Sequence, residues 1–130
     1  RKRICRTINY NLWAKSISKT KTDSLDATIK GFDKTILETL RSFLNVLKKR
    51  RKTIKKLRVV GHTDSIGDAF SNKELSFNRA GEVKRLISKY SLIPARKIKV
   101  VGRGESVPIA DNGNFQGRAE NRRVEVLVFE

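Results

Sequence analysis

The 130 residues of this chain are enough for one domain with a hydrophobic core and too few for two. The 30 basic and 13 acidic residues leave a net charge of +17, yet aliphatic residues recur in periodic segments, which excludes a disordered composition. The single cysteine, Cys5, excludes an internal disulfide, and no run of about 18 apolar residues is present that would predict a membrane-spanning helix.

The first 24 residues are predicted to form a basic extension or linker outside the folded domain. Residues 1–22 carry seven basic side chains and no acidic one, and their apolar residues recur at roughly helical spacing. An amphipathic helix and a linker from a membrane anchor both fit this pattern, and Cys5 is either a bystander or a modified thiol. Because the chain has no methionine, even at position 1, we expect a piece of a longer protein whose anchor and export signal lie outside it.

The predicted domain, residues 25–130, opens with a strand and a helix. Apolar residues between Leu25 and Phe32 predict the first strand. Thr35 and Glu38 match a capping box, which predicts the start of a helix. We expect the apolar face of this helix to enter the core through Ile36, Leu40, Phe43, Leu44 and Leu47.

The centre of the chain joins a strand to a second helix. The β-branched, apolar run at 57–60 predicts a buried strand that ends at Gly61. Ser71 and Glu74 form another capping box, so we expect a helix over Asn72–Tyr90. Its predicted buried residues are Leu75, Ala80, Val83, Leu86, Ile87 and Tyr90.

Two further strands complete the predicted fold. Gly81, inside the second helix, costs about 1 kcal/mol relative to Ala and therefore predicts close packing against the sheet. Strands are expected at Ile98–Val101 and Arg123–Phe129, separated by the turn-rich residues 102–114. The pattern predicts an α/β (α+β) two-layer sandwich of order β-α-β-α-β-β, with helices packed on a mixed four-stranded sheet.

The loop between the central strand and its helix is the predicted ligand site, because strand carboxyl ends and helix N-termini offer crevices and unpaired amides. Asp64 lies on this loop, and Asn72 and Arg79, seven residues apart, share one face of the helix. A carboxylate and a guanidinium that face one cleft suit a zwitterionic ligand. The alternative is that Asp64 and Arg79 pair with each other on the surface, which would stabilise little.

No metal, cofactor or catalytic activity is predicted. His62, Asp64 and Asp68 supply one histidine and two acids on a loop, which is a weak pattern for a metal site. The single histidine has no neighbouring nucleophile except Thr63, whose hydroxyl is an ordinary turn donor. We therefore expect a noncatalytic protein in which His62 is structural.

Four motifs in order carry a resemblance to a known family. They are GHTDSIG (61–67), NKELSFNRA (72–80), VVGRGESVPIADN (100–112) and GRAENRRVEV (117–126). Together they resemble the OmpA-like peptidoglycan-binding domain over roughly residues 25–130. In this family the loop of the third motif supports the fold and does not bind ligand.

The resemblance implies a ligand and a set of contacts. In the family, the loop aspartate and the helix arginine clasp the free amino acid end of meso-diaminopimelate in the stem peptide of peptidoglycan, and these residues match Asp64 and Arg79. A backbone contact matches Thr63. The full set of matched binding positions is Asp64, Arg79, Asn72, Thr63, Asp33 and Val124.

The resemblance also implies a place in the cell. We expect the domain to hold a larger envelope protein at the wall, in the periplasm of a Gram-negative-type bacterium, attached to the outer or inner membrane through segments outside this sequence. The parent would be an outer-membrane protein or lipoprotein, or a stator-type motor subunit. A homodimer is compatible with either parent.

The distribution of charge admits another function. Residues 1–60 hold 18 basic and 4 acidic residues, whereas residues 61–130 hold 12 and 9. The run Lys48–Arg58 is typical of a surface for nucleic acid or anionic membranes, but it also fits a solvated helix end or a surface that faces the anionic wall. Because it has no interleaved aromatics and matches no DNA-reading motif, we rank a nucleic-acid-binding module as the alternative.

Overall fold

The computed structural model of the chain describes the backbone of residues 3–9 and 34–130, with side chains at Glu38 and from Leu40 onward. Its elements are β1 (Arg3–Asn9), α1 (Lys34–Lys49), β2 (Lys56–His62), α2 (Ala69–Tyr90), a 3-10 helix (Ala95–Lys97), β3 (Ile98–Gly102), α3 (Phe115–Asn121) and β4 (Arg123–Phe129). None of the helices in this part of the chain has the length and hydrophobicity needed to cross a membrane.

The four strands form one mixed sheet in the order β1-β4-β2-β3. Strand β4 is antiparallel to both of its neighbours, whereas β2 and β3 are parallel. In the register, Val59 of β2 lies opposite Val126 of β4 and Val100 of β3. The predicted class, with helices packed on a mixed sheet, is confirmed.

The first strand differs from the prediction. β1 pairs with β4 from Arg3 opposite Phe129 to Asn9 opposite Arg123, so it lies in the stretch that the sequence predicts to be an extension. The strand predicted at 25–32 lies outside the described residues. The apolar spacing of four between Ile4 and Ile8 fits a helix, but four is also a multiple of the strand period of two, so it cannot distinguish them.

The hydrophobic core lies between the sheet and helices α1 and α2. Its buried residues include Leu40, Leu44 and Leu47 of α1, Ala80, Val83, Leu86 and Ile87 of α2, and Val59, Val124, Val126 and Val128 of the sheet. Phe43 and Tyr90 pack against the edge of this cluster. The predicted burial of Leu75 is wrong, because this side chain is 41% exposed, and the side chain of Ile36 lies outside the described set.

Helix α2 begins earlier than the capping-box pattern predicts. Asp68 is its N-cap, since Oδ2 of Asp68 accepts a hydrogen bond of 2.9 Å from the amide of Ser71. Ser71 therefore lies in the first turn instead of capping it. Helix α1 likewise includes Thr35, because it begins at Lys34.

Glycines show how closely α2 crosses the ends of β2 and β3. A Cβ on Gly61 would lie 2.0 Å from the carbonyl oxygen of Ser76, and one on Gly102 would lie 2.8 Å from that of Lys73. Only glycine fits at such distances. Gly81 has no atom within 4 Å of an added Cβ, so the close packing predicted there is wrong.

Candidate ligand-binding site

The loop that follows β2 is fastened to the loop that follows β3. The amide of Thr63 donates to the carbonyl of Gly104 at 2.8 Å, and the amide of Arg103 donates to that of Gly61 at 3.0 Å. The hydroxyl of Thr63 donates to the carbonyl of Asp64 at 2.8 Å. Because its backbone is held on both sides, the loop presents Asp64 in a defined position at the carboxyl ends of two parallel strands.

Asn72 ties this loop to the first turn of α2. Its Nδ2 lies 3.0 Å from the carbonyl oxygen of Ile66, 3.0 Å from Oε1 of Glu105 and 3.4 Å from the carbonyl oxygen of Asp64. The side chain is buried, and its hydrogen bonds to described residues all come from the amide nitrogen. Glu105 thereby supports the site from the loop after β3, and the amide oxygen of Asn72 is the group left for a ligand.

The carboxylate of Asp64 is mostly buried and is paired. Its side chain is 11% exposed, Oδ1 accepts from the amide of Ile66 at 3.1 Å, and Oδ2 accepts from Nη1 of Arg122 at 2.6 Å. The alternative in which Asp64 pairs with Arg79 is therefore wrong. A carboxylate offers about four lone-pair positions, and these contacts use two of them.

Arg79 lies farther along the helix that carries Asn72. Seven residues make almost two turns, so Arg79 stands on the same face, about 10 Å along the axis from Asn72. It is half-buried. The structure brings Asp64 of the loop into contact with Asn72 of α2. Arg79 lies farther along the helix face that carries Asn72.

The remaining two matched positions are Val124 and Asp33. Val124 is fully buried in the core, because alternation along β4 turns Val124, Val126 and Val128 inward. The expectation that the side chain of Val124 contacts ligand is corrected accordingly. Asp33 lies outside the described residues.

Arg122 is the residue beside Asp64 that the sequence indicates least. The sequence predicts a strand from Arg123 and assigns no role to Arg122 before it. The pairing with Asp64 depends on α3, a seven-residue helix whose C-cap is Arg122. The available signal is the adjacent pair of arginines. Arg123, the first residue of β4, is buried, and Arg122 at the end of α3 pairs with Asp64.

A charged cluster lies beneath the loop. Nε2 of His62 is 3.2 Å from Oε1 of Glu125, and Nε of Arg123 donates to Oε2 of Glu125 at 2.8 Å. Burial, followed by the charge of Arg123, lowers the pKa of His62. Burial opposes ionisation of Glu125, but the hydrogen bond and charge of Arg123, with a contribution from His62, lower its pKa. At neutral pH His62 is therefore neutral and Glu125 is ionised.

Comparison with known proteins assigns most of the chain to one family. The model of the OmpA family matches residues 16–122. Outer membrane porin F of Pseudomonas fluorescens is 51% identical over 72 residues, which cover 55% of this chain and 22% of that protein. The chain spans less than half the length of several curated relatives, porin F among them.

Solved structures share the fold. The peptidoglycan-associated lipoprotein of Burkholderia pseudomallei is 20% identical with a TM-score of 0.69, covering 95% of this chain and 90% of that one. The cell wall anchor of the T6SS of Pseudomonas aeruginosa is 26% identical with a TM-score of 0.64, covering 98% of this chain and 81% of that one.

Proposed function

The chain belongs to the OmpA family, and from this premise we propose that it is a noncatalytic module that binds peptidoglycan and holds a larger envelope protein at the cell wall. The observation that carries the proposal is the contact between Asp64 and Asn72 at the loop after β2, with Arg79 almost two turns farther along the helix face of Asn72. Two neighbours are described as a peptidoglycan-associated lipoprotein and a cell wall anchor, which supports the same function here.

The ligand we propose is the zwitterionic end of meso-diaminopimelate in the stem peptide. Its ammonium would donate to Asp64, whose carboxylate keeps acceptor positions beyond those used by Ile66 and Arg122. An ammonium and a carboxylate on one carbon need two groups of opposite charge, and in this proposal Asp64 of the loop and Arg79 of α2 would be that pair.

Arg79 would hold the carboxylate of that ligand. Helical side chains generally point toward the N-terminus of their own helix, so in this proposal the guanidinium of Arg79 would extend toward the turn that carries Asn72. A guanidinium binds a carboxylate with two parallel hydrogen bonds, and this geometry gives both strength and orientation. The amide oxygen of Asn72 and the backbone at Thr63 would complete the contacts.

Arg122 would keep Asp64 ready for the ligand. A carboxylate that is 11% exposed is stable in its charged form when it is paired and hydrogen-bonded, and Arg122 meets that need. The ligand ammonium would share Asp64 with Arg122. Arg122 is thus a positioning residue in the proposed mechanism.

We propose a periplasmic position for the domain, between the wall and the membrane that holds its parent protein. Porin F is described as an outer membrane protein, and another neighbour is the periplasmic domain of MotB from Helicobacter pylori, so either membrane suits a parent. The domain would act as the wall-side anchor in both cases.

Retention on purified sacculi tests this function. Arg79→Ala should weaken retention at least about tenfold, because a charge-assisted hydrogen bond contributes about 1.5–3 kcal/mol. Arg85→Ala removes the same charge from the same helix, where Arg85 pairs with Glu82 near the surface, and should bind like the wild type. Free meso-diaminopimelate should compete.

Two salt concentrations separate the specific contacts from general attraction between a basic protein and an anionic wall. Circular dichroism of each variant checks that the fold is intact. Equal retention of Arg79→Ala and wild type, or no competition by free diaminopimelate, would refute the proposed ligand.

A further inference from the structure

A second surface lies at the other end of the sheet from the candidate ligand site. Here β2 and β3 begin and β4 ends, and a groove of about 570 Å³ opens between them and α2. This basic groove is lined by Lys56, Leu57, Arg58, Lys84, Ala95, Arg96, Lys97, Ile98, Lys99 and Phe129. Its volume lies within the range of about 300–1,000 Å³ that is usual for ligand pockets.

The charge of the basic groove is of one sign. Six of its ten described lining residues are Lys or Arg, and none of those ten is acidic. Leu57 and Ile98 are buried and form its floor, whereas Lys56, Arg96 and Lys99 are exposed. Cations held this close repel one another, and low-dielectric walls focus their field, so the groove attracts anions.

Two details concern cations of the groove. Nε of Arg58 is buried and has no hydrogen-bond partner among the described residues. The charge of this guanidinium is therefore not offset by a described acceptor at Nε and adds to the positive potential of the groove. Nζ of Lys97 lies 3.2 Å from the carbonyl oxygen of Ile54, which holds that ammonium at the rim.

Basic residues continue from the groove over the same end of the molecule. The amide of Lys55 donates to the carbonyl of Phe129 at 2.8 Å, which places the segment after α1 beside the end of β4. The exposed basic side chains on that segment and the end of α1 are Lys48, Lys49, Lys52 and Lys55. The positive surface is therefore an end face and not a narrow track.

We propose that the basic groove binds the phosphate headgroups of anionic phospholipids and docks this end of the domain on a membrane surface. Phosphate oxygens match the ammonium and guanidinium donors that line the groove. A broad basic end face suits a planar array of headgroups, which attracts basic residues near it. The periplasmic position proposed above puts such headgroups within reach.

Nucleic acid fits the basic groove less well. Single-stranded nucleic acid is bound by basic grooves that interleave aromatic side chains for stacking. Phe129 is the one aromatic among the described residues that line the groove, and Nζ of Lys56 covers its ring at 4.9 Å from the centroid. One face of the ring is thus occupied within the protein.

Flotation with lipid vesicles tests the proposal on the 130-residue chain. The chain should float with vesicles of equal parts phosphatidylglycerol and phosphatidylethanolamine and not with phosphatidylcholine vesicles. Arg96→Gln combined with Lys99→Gln should weaken binding about 25-fold, since each basic residue near an anionic surface contributes about fivefold. Lys73→Gln combined with Arg103→Gln removes the same charge at the other end and should bind like the wild type.

The outcomes separate the sources of phosphate. The proposal is supported if binding to phosphatidylglycerol vesicles depends on Arg96 and Lys99. Binding should also weaken as the ionic strength rises from about 0.1 M to about 1 M, which shortens the Debye length from about 10 Å to about 3 Å. The proposal is overturned by no flotation, by equal losses in the two double variants, or by an oligonucleotide or free polyphosphate that binds more tightly than the vesicles. Sacculus retention is measured separately, so failure here leaves the proposed wall binding standing.

Discussion

The carboxylate of Asp64 lies in a place where 11% of its side chain is exposed. A buried charge needs a partner and hydrogen bonds, and Arg122 and the amide of Ile66 provide them. This pairing connects the loop after β2 to the residue that precedes β4. A ligand that donates hydrogen bonds to Asp64 would therefore act on both of these segments at once.

His62 lies directly before the loop residues that bind in the proposed mechanism. It is 3% exposed, and its Nδ1 has no partner among the described residues. Protonation would place a buried cation beside Arg123, although Glu125 would partly compensate it. The neutral form of His62 is consequently the form that the fold accommodates.

We expect stability to fall as the pH drops below 6.5. The pKa of His62 is lower in the folded protein than its ordinary value of 6.5, so below 6.5 the unfolded state takes up the proton first. The free energy of unfolding then decreases until the folded His62 is protonated as well. Glu125 has a lowered pKa in the folded protein, so its ionised form stabilises the fold above pH 4.5. That contribution is lost only as the pH falls further.

Urea unfolding of the wild type and of His62→Gln on either side of pH 6.5 measures the effect. Glutamine does not titrate, so the variant should lose less stability than the wild type as the pH falls from 6.5 toward 4.5. The comparison uses the slope with pH and not the absolute stability. Equal slopes in the two proteins would show that His62 does not cause the loss.

At the scale of elements, two glycines should respond in opposite directions to alanine. Gly61→Ala places a Cβ 2.0 Å from the carbonyl oxygen of Ser76 and should destabilise the protein by about 1–3 kcal/mol through overpacking. Gly81→Ala meets no atom within 4 Å inside α2 and should stabilise it by about 0.5–1 kcal/mol. Denaturant unfolding of both variants tests how closely α2 crosses β2, and destabilisation by Gly81→Ala would contradict this packing.

The elements that the sequence predicts well are those with a clear period and a buried face. β2, β3, β4 and α2 all lie where their apolar patterns place them, with ends shifted by a few residues. α3 was not predictable from periodicity, because its seven residues make only two turns. β1 shows the other failure, since the spacing between Ile4 and Ile8 suits helix and strand alike.

The same limit applies to the candidate site. Asp64 and Asn72 belong to one local strand-loop-helix motif, so their proximity follows from the chain between them. The contact of Asp64 with Arg122 joins residues 58 positions apart, and it requires α3 to turn Arg122 toward the loop. Only the tertiary structure shows that contact.

At the scale of the whole molecule, β2 and β3 separate two charged surfaces. Both strands begin at the basic groove. β2 ends at the loop that carries Asp64, and β3 ends at the neighbouring loop that is hydrogen-bonded to it. A ligand at one end leaves the other end open, so the two proposals are compatible with simultaneous contact to wall and membrane. Each surface can be altered by substitutions that lie at its own end of the sheet.

Titration of the isotope-labelled chain with free meso-diaminopimelate, followed by amide NMR shifts, tests the central claim most directly. We expect shifts at Asp64, Asn72 and Arg79, no shifts at Lys97 and Lys99 in the basic groove, and loss of the response in Arg79→Ala. Shifts confined to the basic groove, or none at Asp64 and Asn72, would contradict the account.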